Sequence, residues 1–137
     1  MTFRVIKKTF NKKERLKSKK AIEALLKTRF HKSVYPIKVF VDSELYPSGQ
    51  VKFMVMVPKK KIRSSVKRTR TKRILREIWR LNKLPLNTFS REKNLRINVG
   101  FLFLEREPPV FSELNDKMGL VMSYIFSVAE KNKQFVG

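Results

Sequence analysis

Residues 59–83, KKKIRSSVKRTRTKRILREIWRLNK, set the terms for the rest of the chain. Twelve of these twenty-five residues are Lys or Arg, and only Glu77 is acidic. The stretch also has helical period. Apolar residues fall at Ile74, Leu75, Ile78, Trp79 and Leu81, the spacing of a face that docks on a core. Arg68, Lys72, Arg76 and Arg80 recur every fourth residue and make a slowly drifting stripe on another face. A helix that merely faces solvent usually mixes signs, because like charges one turn apart repel. Here Arg73 with Glu77 is the one obvious internal pair. The guanidinium fork suits bidentate contact with phosphate. The run therefore predicts a helix that packs by one side and meets a polyanion with the other.

The rest of the chain agrees. Net charge is +22, and it is uneven. Residues 1–83 hold 26 basic and 5 acidic residues, whereas residues 84–137 hold 7 and 6. One part meets the polyanion and the other mainly completes the fold. A chain of 137 residues with 42% hydrophobic content suits a single domain with one sizeable core. There is no cysteine, hence no disulfide framework or thiolate metal site. His31 stands alone and reads as a surface loop residue. Four scattered glycines make no phosphate-cradling loop. No apolar run is long enough for a bilayer span and no secretory segment opens the chain, so a cytoplasmic bacterial protein is expected. No Ser/His/Asp arrangement or carboxylate cluster suggests a protein active site.

In chain order, residues 1–14 read as a basic arm that packs partly on the body. A first helix starts near Leu16 or Ser18, with Ser18 as N-cap and Ala21, Ile22, Leu25, Leu26 and Phe30 as its apolar stripe. A strand is expected at Ile37 to Asp42, a turn at Tyr46-Pro47-Ser48-Gly49, and a second strand at Val51 to Val57. So short a connection predicts an antiparallel hairpin. Phe40, Lys52, Met54 and Met56 would share a strand face suited to single-stranded nucleic acid, where aromatics stack bases and lysines track phosphates. The same face could equally be covered by a helix. Beyond the basic helix, Leu84 to Asn94 reads as a polar loop. Ile97 to Leu104 is apolar on both faces and belongs in the middle of the sheet. Ser112 would cap a last helix with Leu114, Met118, Val121, Ile125 and Val128 buried, and residues 131–137 would fray. The order predicts an α/β (α+β) two-layer sandwich with a mainly antiparallel sheet and a βαβ crossover through the basic helix. The general rule makes such a crossover right-handed.

The basic stretch resembles the signature of the bacterial ribonuclease P protein component family, KKxGxAVxRNRxKRxxRE. Lys60, Lys61, Val66, Arg68, Arg70, Lys72, Arg73, Arg76 and Glu77 match. Arg63, Ser65 and Thr69 stand where the family has Gly, Ala and Asn. Helix and strand order is similar over nearly the whole chain, weakly after Lys83. The resemblance implies a ribosomal protein S5 domain 2-like fold whose crossover is left-handed. It implies a protein subunit of the ribonuclease P ribonucleoprotein, an RNA-dependent endonuclease that removes the 5′ leader of precursor tRNA. The partners are then the catalytic RNA, bound 1:1, and precursor tRNA, with no membrane. No cofactor is implied for the protein alone, and Mg²⁺ belongs to the RNA, where cleavage takes place. Lys60, Lys61, Arg63, Lys67, Arg68, Thr69, Arg70, Lys72, Arg73 and Arg76 would grip the catalytic RNA. Ile22 and Leu26 on the first helix, with Phe40, Lys52, Met54 and Met56, would border the leader. The alternative is a non-catalytic ribosomal or general RNA-binding protein, which offers no reason for this motif's spacing. A DNA-binding regulator fits less well, because no helix-turn-helix precedes the basic helix. A membrane-surface helix fits least, because Trp79 and its neighbours read as core.

Overall fold

A computed structural model describes residues 12–136, with side chains through Lys131. The expected arm therefore lies mostly outside the described residues. Its last part, Lys12–Glu14, is a single 3₁₀ turn. The regular elements are α1 (Lys19–Leu26), β1 (His31–Val34), β2 (Ile37–Leu45), β3 (Gln50–Met56), α2 (Ser65–Asn82), α3 (Leu84–Lys93), β4 (Leu95–Phe103), α4 (Phe111–Asn115) and α5 (Met118–Val136).

The four strands form one mixed sheet in the order β1-β2-β4-β3. β1 and β4 pair antiparallel with β2, while β3 pairs parallel with β4. The sheet is mainly antiparallel, β4 is central, and β3-α2-α3-β4 is the βαβ crossover. The expected hairpin is corrected here, because β4 lies between β2 and β3. The apolar run of β4 is the reason. Ile97, Val99 and Phe101 are fully buried, and a strand buried on both edges satisfies all its backbone groups. The short β2–β3 connection must then cross over the start of β4. Asn94 fastens it there. Its carbonyl accepts from Tyr46 N at 2.9 Å and its Oδ1 accepts from Ser48 N at 3.2 Å. Ser48 and Gly49 take positive φ values of 72° and 68° to complete the turn.

Odd-numbered positions of β4 face one layer, formed by α2, α3, α4 and α5. Ile37, Val39, Val41, Phe53, Ile97, Val99, Phe101 and Phe103 meet Leu75, Ile78, Trp79, Val121 and Ile125 in the main core. The expected stripe Leu114, Met118, Val121, Ile125 and Val128 is buried throughout. The opposite sheet face carries a smaller cluster, in which Leu16, Leu25 and Phe40 pack with Ala21, Ile22, Met54, Met56 and Leu102. There α1 sits close, and a Cβ on Gly100 would come 3.1 Å from Leu25 Cδ2. Leu16 N donates to Phe53 O at 3.0 Å and Arg15 bridges to Phe53, so this segment borders the outer edge of β3.

Several boundaries differ from expectation. His31 begins a strand rather than sitting in a loop. α1 ends at Leu26, so Phe30 lies beyond it and packs on the main core. Leu84–Lys93 is a helix rather than a loop. Pro85 stands in its first turn, where a missing N–H costs nothing, and Leu86 supplies its buried anchor. Ser112 lies inside the short α4, whose N-cap is Val110, and α5 starts separately at Met118. α5 continues through Val136, past the point where fraying is expected. No helix among the described residues is long and apolar enough to cross a membrane.

Candidate nucleic-acid interface

The basic helix α2 is placed by its apolar side. Ser64 caps it, its Oγ accepting from Lys67 N at 3.2 Å. Thr71, Leu75, Ile78 and Trp79 are buried, positions that share one face of a 3.6-residue period. Trp79 stacks on Phe53 at 4.4 Å and meets Phe101 edge-on at 5.8 Å. Ile74 is only partly buried, and Leu81, expected in the stripe, is 38% exposed. Thr71 takes its place, with Oγ1 donating to Lys67 O at 2.8 Å so that its polar atom is satisfied in the core.

The cations have different jobs. Arg68 Nη1 donates to the carbonyls of Ile62 at 3.0 Å and Arg63 at 2.8 Å. It thus folds back on the loop before the helix and fixes it. Ile62, 2% exposed, anchors the same loop in the core. Lys67 Nζ pairs with Glu107 at 3.0 Å. Glu77 pairs with Arg80, through contacts of 3.0 and 2.5 Å, and not with Arg73 as expected. That hydrogen bond holds the Glu77 carboxyl below its ordinary range. Burial, and then the nearby charge of Arg15, pull the Arg76 guanidinium below its usual value. Lys60, Lys61, Arg63, Thr69, Arg70 and Arg73 are exposed; Lys72 is half-buried.

Three open hollows follow this helix. One of about 440 Å³ lies against Thr69, Arg70 and Arg73. A second, of about 360 Å³, lies between Arg73, Arg76 and Arg15. A third, of about 320 Å³, lies at the start of the helix among Lys60, Lys61, Arg63 and Lys67. All ten residues of the expected RNA grip therefore sit on this helix or its leading loop, with Arg68 acting inward. Arg15 joins them only through the fold, because it is fifty-four residues from Thr69 in sequence.

The expected leader surface is assembled differently. Ile22, Phe40, Met54 and Met56 come together, but as parts of the smaller core cluster under α1. Phe40 is only 7% exposed, with Lys38 Nζ 5.4 Å and His31 5.8 Å from its ring centre. Leu26 lies outside the cluster and is 44% exposed. Lys52 stands beyond α1 in a cross-strand row with Asn98 and Asp42. Asn98 is 7% exposed and its Oδ1 is buried without a partner among the described residues. Burial, and then Glu44, push the Asp42 carboxyl above its ordinary range. No sequence pattern marked Asn98, since a lone Asn in an apolar strand carries no motif. No three His, Cys, Asp or Glu residues come together among the described residues, so these side chains do not fit a metal centre.

The family model of ribonuclease P matches residues 10–106. Ribonuclease P protein components from two Porphyromonas gingivalis strains are each 36% identical to the chain over 87 residues. The matched stretch covers 62% of this chain and 63% of each of those proteins, so the chain spans rather less than two thirds of their length.

Proposed function

The chain belongs to the ribonuclease P protein family, and from that premise we propose that it is the protein subunit of ribonuclease P, assisting removal of the 5′ leader from precursor tRNA. One observation carries the reading to particular side chains. The motif residues are not scattered by the fold but lie along one helix whose other side is buried. Exposed Arg70 and Arg73 flank the hollows, and the loop with Lys60, Lys61 and Arg63 is tied down by Arg68. Cations held at fixed pitch replace the condensed counterions of an RNA, which favours binding most at low salt.

In this reading Lys60, Lys61, Arg63, Lys67, Thr69, Arg70, Lys72, Arg73 and Arg76 bind the catalytic RNA, and Arg68 positions the loop that presents three of them. The leader runs over Leu26 and Lys52, beside α1, while Ile22, Phe40, Met54 and Met56 form the floor that holds α1 in place. Cleavage belongs to the RNA and to the Mg²⁺ it holds. The protein lowers the repulsion between two polyanions and so lowers the Mg²⁺ that the holoenzyme requires. One protein per RNA and a cytoplasmic location go with this role.

The deciding experiment is 5′ cleavage of a precursor tRNA by a bacterial ribonuclease P RNA at low Mg²⁺, with and without the protein. Restored cleavage at the mature 5′ end is expected. A folded protein that gives no cleavage, and binds that RNA no better than an unrelated RNA, would point instead to a general RNA-binding protein.

A further inference from the structure

Resting on that reading, we infer that Arg106 is part of the RNA grip and that Glu107 holds the place of a phosphate within it. Both residues follow β4, far from the basic run in sequence, yet they line the same 320 Å³ hollow as Lys60, Lys61, Arg63 and Lys67. The Arg106 guanidinium is exposed and makes no hydrogen bond or ion pair among the described residues. The hollow is therefore ringed by five cations and a single carboxylate. Its two walls are held independently. Arg68 clamps the carbonyls of Ile62 and Arg63 on one side, and Pro108-Pro109 stiffens the chain just after Glu107 on the other.

Glu107 sits 3.0 Å from Lys67 Nζ, with the two side chains 73% and 50% exposed. A pair so open to water contributes little and is cheaply broken. A phosphodiester offers the same single charge and two oxygens, and it arrives with counterion release that a tethered carboxylate lacks. The hollow is thus a phosphate site of the RNA backbone, occupied in the free protein by its own carboxylate. When RNA enters, Glu107 leaves Lys67 and Arg106 closes on the phosphate from the far wall. This contact carries no base information, since only phosphate oxygens are read.

The test is binding of the full chain to ribonuclease P RNA across a salt series. Arg106→Ala should weaken binding about three- to tenfold and lower the salt slope by about one. Glu107→Gln should tighten it about two- to fivefold, the release of one exposed pair. Arg91→Ala and Glu92→Gln, exposed on α3, serve as charge-matched controls, and circular dichroism melts report folding. If each variant merely equals its control, only net charge matters and the site is refuted. If the unaltered protein does not prefer this RNA over an unrelated one, the proposed function itself fails, and the inference with it.

Discussion

The indole of Trp79 lies flat on the ring of Phe53, with centroids 4.4 Å apart and planes within 5° of parallel. Phe101 meets both rings edge-on, 4.8 Å from Phe53 and 5.8 Å from Trp79. This three-ring contact joins the basic helix to β3 and β4, and it explains how a helix with so many cations stays folded on the body. Replacing Trp79 by Ala would leave a large cavity and cost about 3–5 kcal/mol. Urea unfolding followed by circular dichroism measures this; a loss below 1 kcal/mol would mean that the stack is not the anchor.

Arg68 holds the loop that leads into the basic helix. Its two bonds to backbone carbonyls are charge-assisted, and Arg68→Ala should cost about 1.5–3 kcal/mol. Amide exchange at Lys61 and Ile62, whose N–H groups bond to Pro58 O, should speed up in the free protein, with no RNA present. Unchanged exchange there would show that the loop keeps its shape unaided, leaving Arg68 free to serve as a direct RNA contact.

Gly49 is held against α3. Its φ is +68°, and a Cβ there would come 2.3 Å from Ser90 O, a backbone atom that cannot step aside. Both strain and clash oppose any side chain. Gly49→Ala should lower stability by about 1–3 kcal/mol, seen as a fall in Tm. A neutral result would mean that the β2–β3 connection has room to shift away from Asn94 and Ser90.

Lys83, 1% exposed at the end of α2, pairs with Glu14 from the segment that precedes α1. Neutralising the carboxylate takes a counter-charge away from a cation in a dry site, whereas an apolar isostere of the buried cation removes the need for one. Glu14→Gln should therefore destabilise more than Lys83→Met, by about 1 kcal/mol or more. The reverse order in thermal melts would contradict this account of the pair.

The carboxyl of Asp42 has a pH signature. Its folded-state pKa is raised by burial and by Glu44, against the opposing effects of a backbone hydrogen bond from Ser43 and the charge of Arg96. The native state then holds the proton more tightly than the unfolded chain does. Stability is lost as pH rises from the ordinary carboxylate range through the folded pKa, and the deficit persists at neutral pH. Asp42→Asn should stabilise the protein at pH 7 by up to about 1 kcal/mol, allowing for partial exposure, and the gain should vanish in acid. A variant that loses stability at pH 7 would show that the charge is used, with Lys52 and Arg96 the neighbours to examine.

The local sequence decided a good deal of this molecule. Period marked the apolar stripe of α2 from Ile74 onward and its cation stripe from Arg68, capping marked Ser18 as the start of α1, and period again marked the buried side of α5, because a helix reports its own face every three to four residues. The double-sided apolar run of β4 placed it centrally. The spacing of Lys60 through Glu77 marked the candidate interface, because cations that recur every turn of a helix share a face.

What the chain could not show locally was which distant segments meet. The β2–β3 turn looks like a hairpin, and only the insertion of β4, with Asn94 pinning the turn from the far side, makes β3 run parallel. Leu84–Lys93 has few apolar residues to announce a helix, and its fold rests on Leu86 and Ser90 finding the body. Phe40, Met54 and Met56 read equally as an open strand face or as one covered by a helix, and only the packing of α1 decides. Arg15 and Arg106 carry no motif, and they join the cations of α2 only where two ends of the fold converge. Sequence determined the strongly patterned elements α1, α2 and β4 and the charged face of α2, since backbone geometry and hydropathy act within a few residues. Tertiary structure decided strand order and the membership of each charged hollow, since burial and electrostatics act between groups that are near in space and far along the chain.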